Sequence, residues 1–237
     1  PDFVFLLENA GFLIVAPCSR MKLALHACNS RLRSLHVICI AAVDIGELLE
    51  KISGDRSKMK KNHIGNLNKT QCFGCTACEY TCPFGAIIME RDQEGFFYPR
   101  VDEQKCTDCG RCRKVCPSVN PKDMTNSPEP ETYAVRSVDA VRRKSSSGGS
   151  FTLLARSVLD KGGVVCGVVM NEKFQVFHTF ARNEKELEPM RRSKYVESDL
   201  GDIFPRIREL LDKKKKVLFT GTPCQVAGLK AYLGKNR

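Results

Sequence analysis

C-F-G-C-T-A-C-E-Y-T-C-P, residues 72–83, and C-T-D-C-G-R-C-R-K-V-C-P, residues 106–117, are two copies of one pattern set 34 residues apart. Each reads C-x2-C-x2-C-x3-C-P. Three thiols at i, i+3 and i+6 on a tight loop can converge on three corners of one iron-sulfur cubane. The fourth, beyond three intervening residues on a short helix, points away and serves the cubane of the other run. The spacing therefore assigns Cys72, Cys75, Cys78 and Cys116 to one [4Fe-4S] cluster, and Cys106, Cys109, Cys112 and Cys82 to a second. Pro83 and Pro117 lack a backbone donor and turn the chain away after the last thiol. Gly74 and Gly110 allow backbone amides to approach inorganic sulfide closely.

The spacing is the one used by bacterial two-cluster ferredoxins. Two other chemistries compete. Disulfides would need an oxidising compartment and would leave one of the 13 cysteines unpaired. Zinc favours C-x2-C knuckles at wider separation, not four cysteines in eleven residues twice over. Both fit the spacing less well.

The totals narrow the class. A chain of 237 residues with 42% hydrophobic content can bury one or two cores. Its longest apolar stretch, residues 3–15, is broken by Glu8 and Asn9, so no transmembrane segment is expected. That stretch also lacks a basic leader. Oxygen-sensitive clusters and many thiols point to the cytoplasm. The formal net charge of +11 is uneven: +1 over residues 1–58, zero over 59–132 and +10 over 133–237. Such a field could attract an acidic electron-carrier protein or a phosphate-bearing cofactor. The run Lys213 to Lys216 reads as a solvated face. No nucleic-acid partner is expected, because no recognition helix or aromatic stacking motif accompanies the basic residues.

In chain order, residues 1–58 form an unassigned N-terminal extension. They hold apolar runs at 12–16 and 35–43 and a helix-like stretch at 44–52, and Cys18, Cys28 and Cys39 lack ligand spacing. The chain opens on Pro1 and closes at Arg237 just after a helical pattern, so it reads as a fragment, with Met59 a candidate native start. Residues 59–120 read as the dicluster module, with strands at 86–90 and 96–101 around a Gly95 turn. Residues 121–132 form a proline-rich linker. A second domain then alternates strands (133–137, 164–170, 174–180, 217–220) with helices (151–159, 184–191, 200–211 and one after Cys224), an α/β pattern. Gly162-Gly163 ends the first of these helices, and Pro205 sits inside the third.

Two loops of this domain are candidate cofactor sites. Ser147-Gly148-Gly149-Ser150 sets backbone amides and hydroxyls at a helix N-terminus, an anion site suited to a flavin pyrophosphate; the plainer alternative is a turn capped by Ser150. In Thr220-Gly221-Thr222-Pro223-Cys224-Gln225, Thr222 suits an N-cap and Pro223 the first helical position. Cys224 then falls in the first turn, where the dipole lowers a thiol pKa. It is a ligand, a redox thiol, a cofactor contact, or a small residue packed under the loop. Cys166 and His178 read as structural. Arg191, Arg192 and Lys194 form either a phosphate clamp or a solvated helix end. No side-chain acid or base is legible.

S-S-G-G-S-F-T-L-L-A (146–155), M-R-R-S-K-Y-V-E-S (190–198) and V-L-F-T-G-T-P-C-Q-V-A-G-L (217–229) resemble the family of coenzyme F-420 hydrogenase and dehydrogenase beta subunits. The resemblance covers roughly residues 68–237. It implies a fold class: an α+β ferredoxin-like dicluster domain followed by a truncated α/β flavin-type domain. Residues 133–210 correspond to the beta-subunit N-terminal type and 211–237 to the start of its C-terminal type. It also implies an oxidoreductase passing electrons between two [4Fe-4S] clusters and FAD, with hydride exchange to a deazaflavin-like or other acceptor. A partner oxidoreductase subunit or electron-carrier protein would complete the path. Ser147 to Ser150 and Thr220 to Gln225 become cofactor-contacting loops by position, and a small residue is expected where Arg192 stands. The rival reading is a non-catalytic ferredoxin-type electron-transfer or docking subunit.

Overall fold

A computed structural model describes residues 62–121, 131 and 133–234, together with the backbone of strand β1 (Phe3–Leu6). The expected helix at 44–52, the apolar runs at 12–16 and 35–43, and Cys18, Cys28 and Cys39 lie outside the described residues. So does most of the expected linker, residues 122–130 and 132.

After β1 come α1 (Ala77–Thr81), β2 (Ile87–Arg91), β3 (Phe97–Val101) and α2 (Arg111–Lys114). Strands β2 and β3 form the expected antiparallel hairpin, from Ile87 opposite Val101 to Arg91 opposite Phe97. Helices α1 and α2 start at equivalent places in the two cysteine runs, 77 and 111, so the sequence repeat is a structural repeat. Next are α3 (Asp139–Arg142), α4 (Ser150–Leu159), β4 (Val164–Met170), β5 (Val176–Ala181), α5 (Glu184–Leu187), α6 (Ile203–Asp212), β6 (Val217–Thr220) and α7 (Pro223–Leu233).

One mixed sheet runs in the order β1-β6-β4-β5. Strand β6 is parallel to both β1 and β4, while β4 and β5 make an antiparallel hairpin. Alternation decides what each face buries. Val165, Ala181 and Leu218 point to one side and pack on Phe151 and Ala155 of α4, with Leu187 and Met190. Val164, Cys166, Phe180, Val217 and Phe219 point to the other, against Ile203, Phe204 and Ile207 of α6 and Val226 and Leu229 of α7. Ala77 of the cysteine module belongs to this second core, and Cys75, Tyr80 and Val115 pack against it. The module is therefore seated on α6 and α7. The Tyr80 hydroxyl donates to the Gly201 carbonyl across the same junction.

Two expectations need correcting, and one strand is new. Residues 133–137 form no strand; their one ladder-like bond is Ser137 N–H to Gly148 C=O at 2.7 Å, and Tyr133 and Val135 stay exposed. Ser150 is not the cap of α4. Gly149 takes that position at φ +91°, because the chain must enter the helix through left-handed backbone. Strand β1 rises from the stretch left unassigned and forms one edge of the sheet. Pro205 is tolerated because it lies in the first turn of α6, where a backbone N–H has no helical partner to lose.

His178 is a core residue, as its strand position implied. It stacks on Phe219 at 5.3 Å, and its Nε2 lies 3.0 Å from the Thr220 carbonyl. Burial lowers its pKa from the ordinary 6.5 to about 4, so the folded chain holds it neutral. Between those two values the unfolded chain takes up a proton that the folded chain refuses, and stability falls as pH drops. From pH 7 to pH 5 this one group should cost about 2 kcal/mol. His178→Gln should lose that share of the acid slope, as read by urea unfolding at the two pH values; an unchanged slope would show that His178 is not its source.

Candidate functional site

The eight repeat cysteines gather around two cavities. Cys72, Cys75, Cys78 and Cys116 line the first, with Ile64 and Met89. Cys82, Cys106, Cys109 and Cys112 line the second, with His63 and Phe84. In both, three thiols of one run meet the fourth thiol of the other. The ten described cysteines are all free thiols. Among the described residues, no three Cys, His, Asp or Glu side chains close on a single metal ion. Two four-thiol cavities are the donor set a pair of cubanes requires.

Backbone geometry repeats with the sequence. Gly74 and Asp108, two residues after the first thiol of each run, sit at φ +64° and +56°. Thr76 and Gly110, four residues after it, sit at +60° and +71°. Each loop thus carries two left-handed residues that turn successive N–H groups inward, an anion-binding nest. Glycine fills one of the two positions in each run, and Thr76 and Asp108 accept the strain at the other. The N–H groups reach the sulfurs at matching places: Ala77 to Cys75 and Arg111 to Cys109. Ala86 N–H donates to the Cys82 sulfur at 3.4 Å.

The two cavities differ in exposure. Burial raises the Cys72 and Cys78 thiols and pushes Cys75 to about 12, with neighbouring thiols adding to the effect. Cys109, by contrast, is exposed, and the Arg111 N–H holds its thiol below the ordinary value. Helix α7 packs tightly against one of the thiol residues of the first cavity: a Cβ at Gly228 would lie 2.9 Å from Cys75 Cβ and 3.1 Å from its carbonyl oxygen. Only a glycine lets the helix come this close.

Thr222 caps α7 and Pro223 is its first residue, as expected. Gln225 Oε1 accepts from Thr222 N–H at 2.9 Å, and its Nε2 donates to the Ser198 hydroxyl at 3.1 Å. The Thr220 hydroxyl donates to the Cys166 carbonyl at 3.2 Å, and its own carbonyl faces His178. Gln225 and Thr220 therefore spend their polar groups holding the loop. Gly221 closes it, since a Cβ there would meet the Phe219 ring at 3.0 Å. Cys224 reaches the Thr222 hydroxyl at 3.1 Å and lies within electrostatic range of Cys72 and Cys75. Its thiol is raised, not lowered: burial outweighs the helix terminus.

The other loop stands at the same end of the sheet. Helix α4 enters β4 through Gly162-Gly163, so its N-terminus returns to the carboxyl ends of β4 and β6, where α/β folds place ligands. No side chain caps α4, so the amides of its first turn face no side-chain acceptor. A Cβ at Gly148 would sit 2.1 Å from the Val135 carbonyl oxygen. Ser137 Oγ and Thr152 Oγ1 are buried without a partner. The Ser146 hydroxyl accepts from Ser193 N–H at 2.7 Å, joining this loop to residues 190–198. An uncapped helix, a tight glycine bend and two unsatisfied hydroxyls fit a bound anion such as a pyrophosphate.

Sequence reasoning missed the Ser146–Ser193 bond, and the expected clamp changes character. Arg191 is buried and paired with Glu184 and Glu188. Lys194 donates to the Pro189 and Arg191 carbonyls. Arg192 alone of the three is exposed, and it stands at φ +69° in the position where the resemblance led a small residue to be expected.

Residues 56–120 match the 4Fe-4S dicluster domain family, and a second dicluster family matches residues 98–147. Residues 132–203 match coenzyme F420 hydrogenase/dehydrogenase, beta subunit N-term. An F(420)H(2) dehydrogenase subunit of Methanosarcina mazei is 25% identical over 167 residues, 65% of this chain and 46% of that protein. Coenzyme F420-dependent sulfite reductase of Methanocaldococcus jannaschii is 24% identical over 160 residues, 67% of this chain and 24% of that protein. A ferredoxin-like protein in the nif region of Rhizobium leguminosarum bv. trifolii is 40% identical over 57 residues, 22% of this chain and 81% of that protein. The chain thus spans less than half the length of the first two. Among the described residues, no helix is long and apolar enough to cross a membrane.

Proposed function

For a chain that belongs to the family of coenzyme F420 hydrogenase/dehydrogenase beta subunits and carries a 4Fe-4S dicluster domain ahead of the matching region, we propose the role of an iron-sulfur flavoprotein oxidoreductase. It passes electrons between two [4Fe-4S] clusters and FAD, with hydride exchange to a deazaflavin-like or other acceptor. The flavin would supply the two-electron chemistry and the clusters the single-electron steps. Cys72, Cys75, Cys78 and Cys116 would hold the inner cluster, and Cys82, Cys106, Cys109 and Cys112 the outer. Ser147 to Ser150 would seat the pyrophosphate, while Thr222 and Cys224 stand between that end of the sheet and the inner cluster. One observation carries this reading: the helix that the Thr220–Gln225 loop opens packs against Cys75 of the first four-thiol cavity and brings Cys224 within electrostatic range of Cys72 and Cys75. On it, residues 59–120 form the dicluster module, 121–132 the linker, 133–210 the beta-subunit N-terminal type and 211–237 the start of its C-terminal type. A cytoplasmic setting and a partner oxidoreductase subunit or electron-carrier protein belong to the same proposal. The Methanosarcina mazei relative, itself one subunit of a dehydrogenase, supports the partner.

Gly148→Ala tests the flavin half. The added methyl meets a backbone carbonyl and must shift the loop, so flavin content should fall at least about tenfold, read from the flavin absorbance released on denaturation. Iron content should stay unchanged. A wild-type chain with full iron and no flavin band would sink this half and leave a non-catalytic ferredoxin-type electron-transfer or docking subunit.

A further inference from the structure

The cations of the cysteine module are divided by position. Residues 62–121 contain seven Lys and Arg and seven Asp and Glu, so the module has no net charge. Lys69, Arg100 and Lys105 are paired with Asp92, Glu90 and Asp102. Arg91 donates to the Gly95 carbonyl and covers the Phe97 ring. Arg111, Arg113 and Lys114, all on α2, have no carboxylate partner among the described residues. Between Cys106 and Cys116 the one acid is Asp108.

Helix α2 also carries Cys112, and Arg111 lines the second cavity beside the exposed Cys109 and Phe84, a residue 51% exposed. Arg111, an exposed aromatic residue and a ligand thiol at the surface therefore border one cavity, and Lys114, three residues on from Arg111, lies on the same side of α2. Arg and aromatic side chains at the centre of a small patch are what protein interfaces enrich. We propose that this face docks an acidic electron-carrier protein in transient, salt-sensitive complexes, delivering electrons to the outer cluster. The proposal rests on the cluster assignment above. In the exchange, one electron leaves the carrier's reduced centre and enters the outer cluster; no bond or proton moves.

The test is binding of an oxidised, acidic plant-type [2Fe-2S] ferredoxin to the anaerobically purified chain, measured by titration calorimetry at low and high salt. R111E/K114E should weaken binding at least about tenfold at low ionic strength, and the gap should close as salt rises. K213E/K215E makes the same change in net charge on the loop between α6 and β6 and should leave affinity nearly unchanged. Equal weakening by both variants, no weakening by the first, or tight salt-insensitive binding by a permanent subunit each overturns the proposal. Iron assay of every sample keeps the two readings apart: missing iron in the wild type refutes the cluster assignment, whereas full iron with unaltered binding refutes the docking face.

Discussion

Cys116→Ser should remove the cluster held by the first run, Cys72, Cys75 and Cys78, and spare the one built by its own. Iron should fall from about eight to about four per chain. Cys116 lines the first cavity, and its thiol is among the charges that raise Cys72, Cys75 and Cys78. Cys82 holds the mirror position in the second cavity. Double substitutions turn this into a strict test by iron and acid-labile sulfide assay. Adding Cys75→Ser to Cys116→Ser should cost no further iron, because both act on one cavity. Adding Cys109→Ser should remove the remainder. The opposite pattern would mean that each run keeps its own four thiols, and the crossed arrangement would be wrong.

Gly228→Ala should loosen the inner site from the opposite side. Alanine in a helix interior is favoured over glycine by about 1 kcal/mol. Overfilling a packed junction costs about 1–3 kcal/mol, and the new methyl meets the Cβ, sulfur and carbonyl oxygen of Cys75 within 3.1 Å. The Cys75 loop is fixed by two left-handed residues and has little room to yield. We expect net destabilisation together with iron loss confined to the first cavity, and a larger loss in Gly228→Val. Iron retention during air exposure gives the readout. Full retention in both variants would show that α7 does not constrain the inner site.

The cysteine spacing made the module legible because ligand geometry is local: every residue that shapes a loop lies within a dozen positions. The hairpin, β4, β6 and α4 were legible for a related reason, since a buried strand or an amphipathic helix writes its period into the chain. What stayed hidden depends on distance along the chain. Cys75 meets Gly228, and Ser146 meets Ser193, through packing that no short window contains. Residues 133–137 have the composition of a strand, yet they pair with no strand among the described residues, so composition misled. Strand β1 was hidden for the opposite reason: it is four residues long and its register is set by β6, more than two hundred positions away. At Cys224 the sequence displayed the helix terminus but not the burial that outweighs it.

The seating of the module on α7 also sets an order of events during synthesis. Both cysteine runs leave the ribosome well before Gly228 and Leu229 exist. At translation rates of about 5–20 residues per second, the inner thiols wait on the order of 5–20 s for α7. Iron loading in that interval would meet a Cys75 loop without α7 against it, and loading after release one already packed.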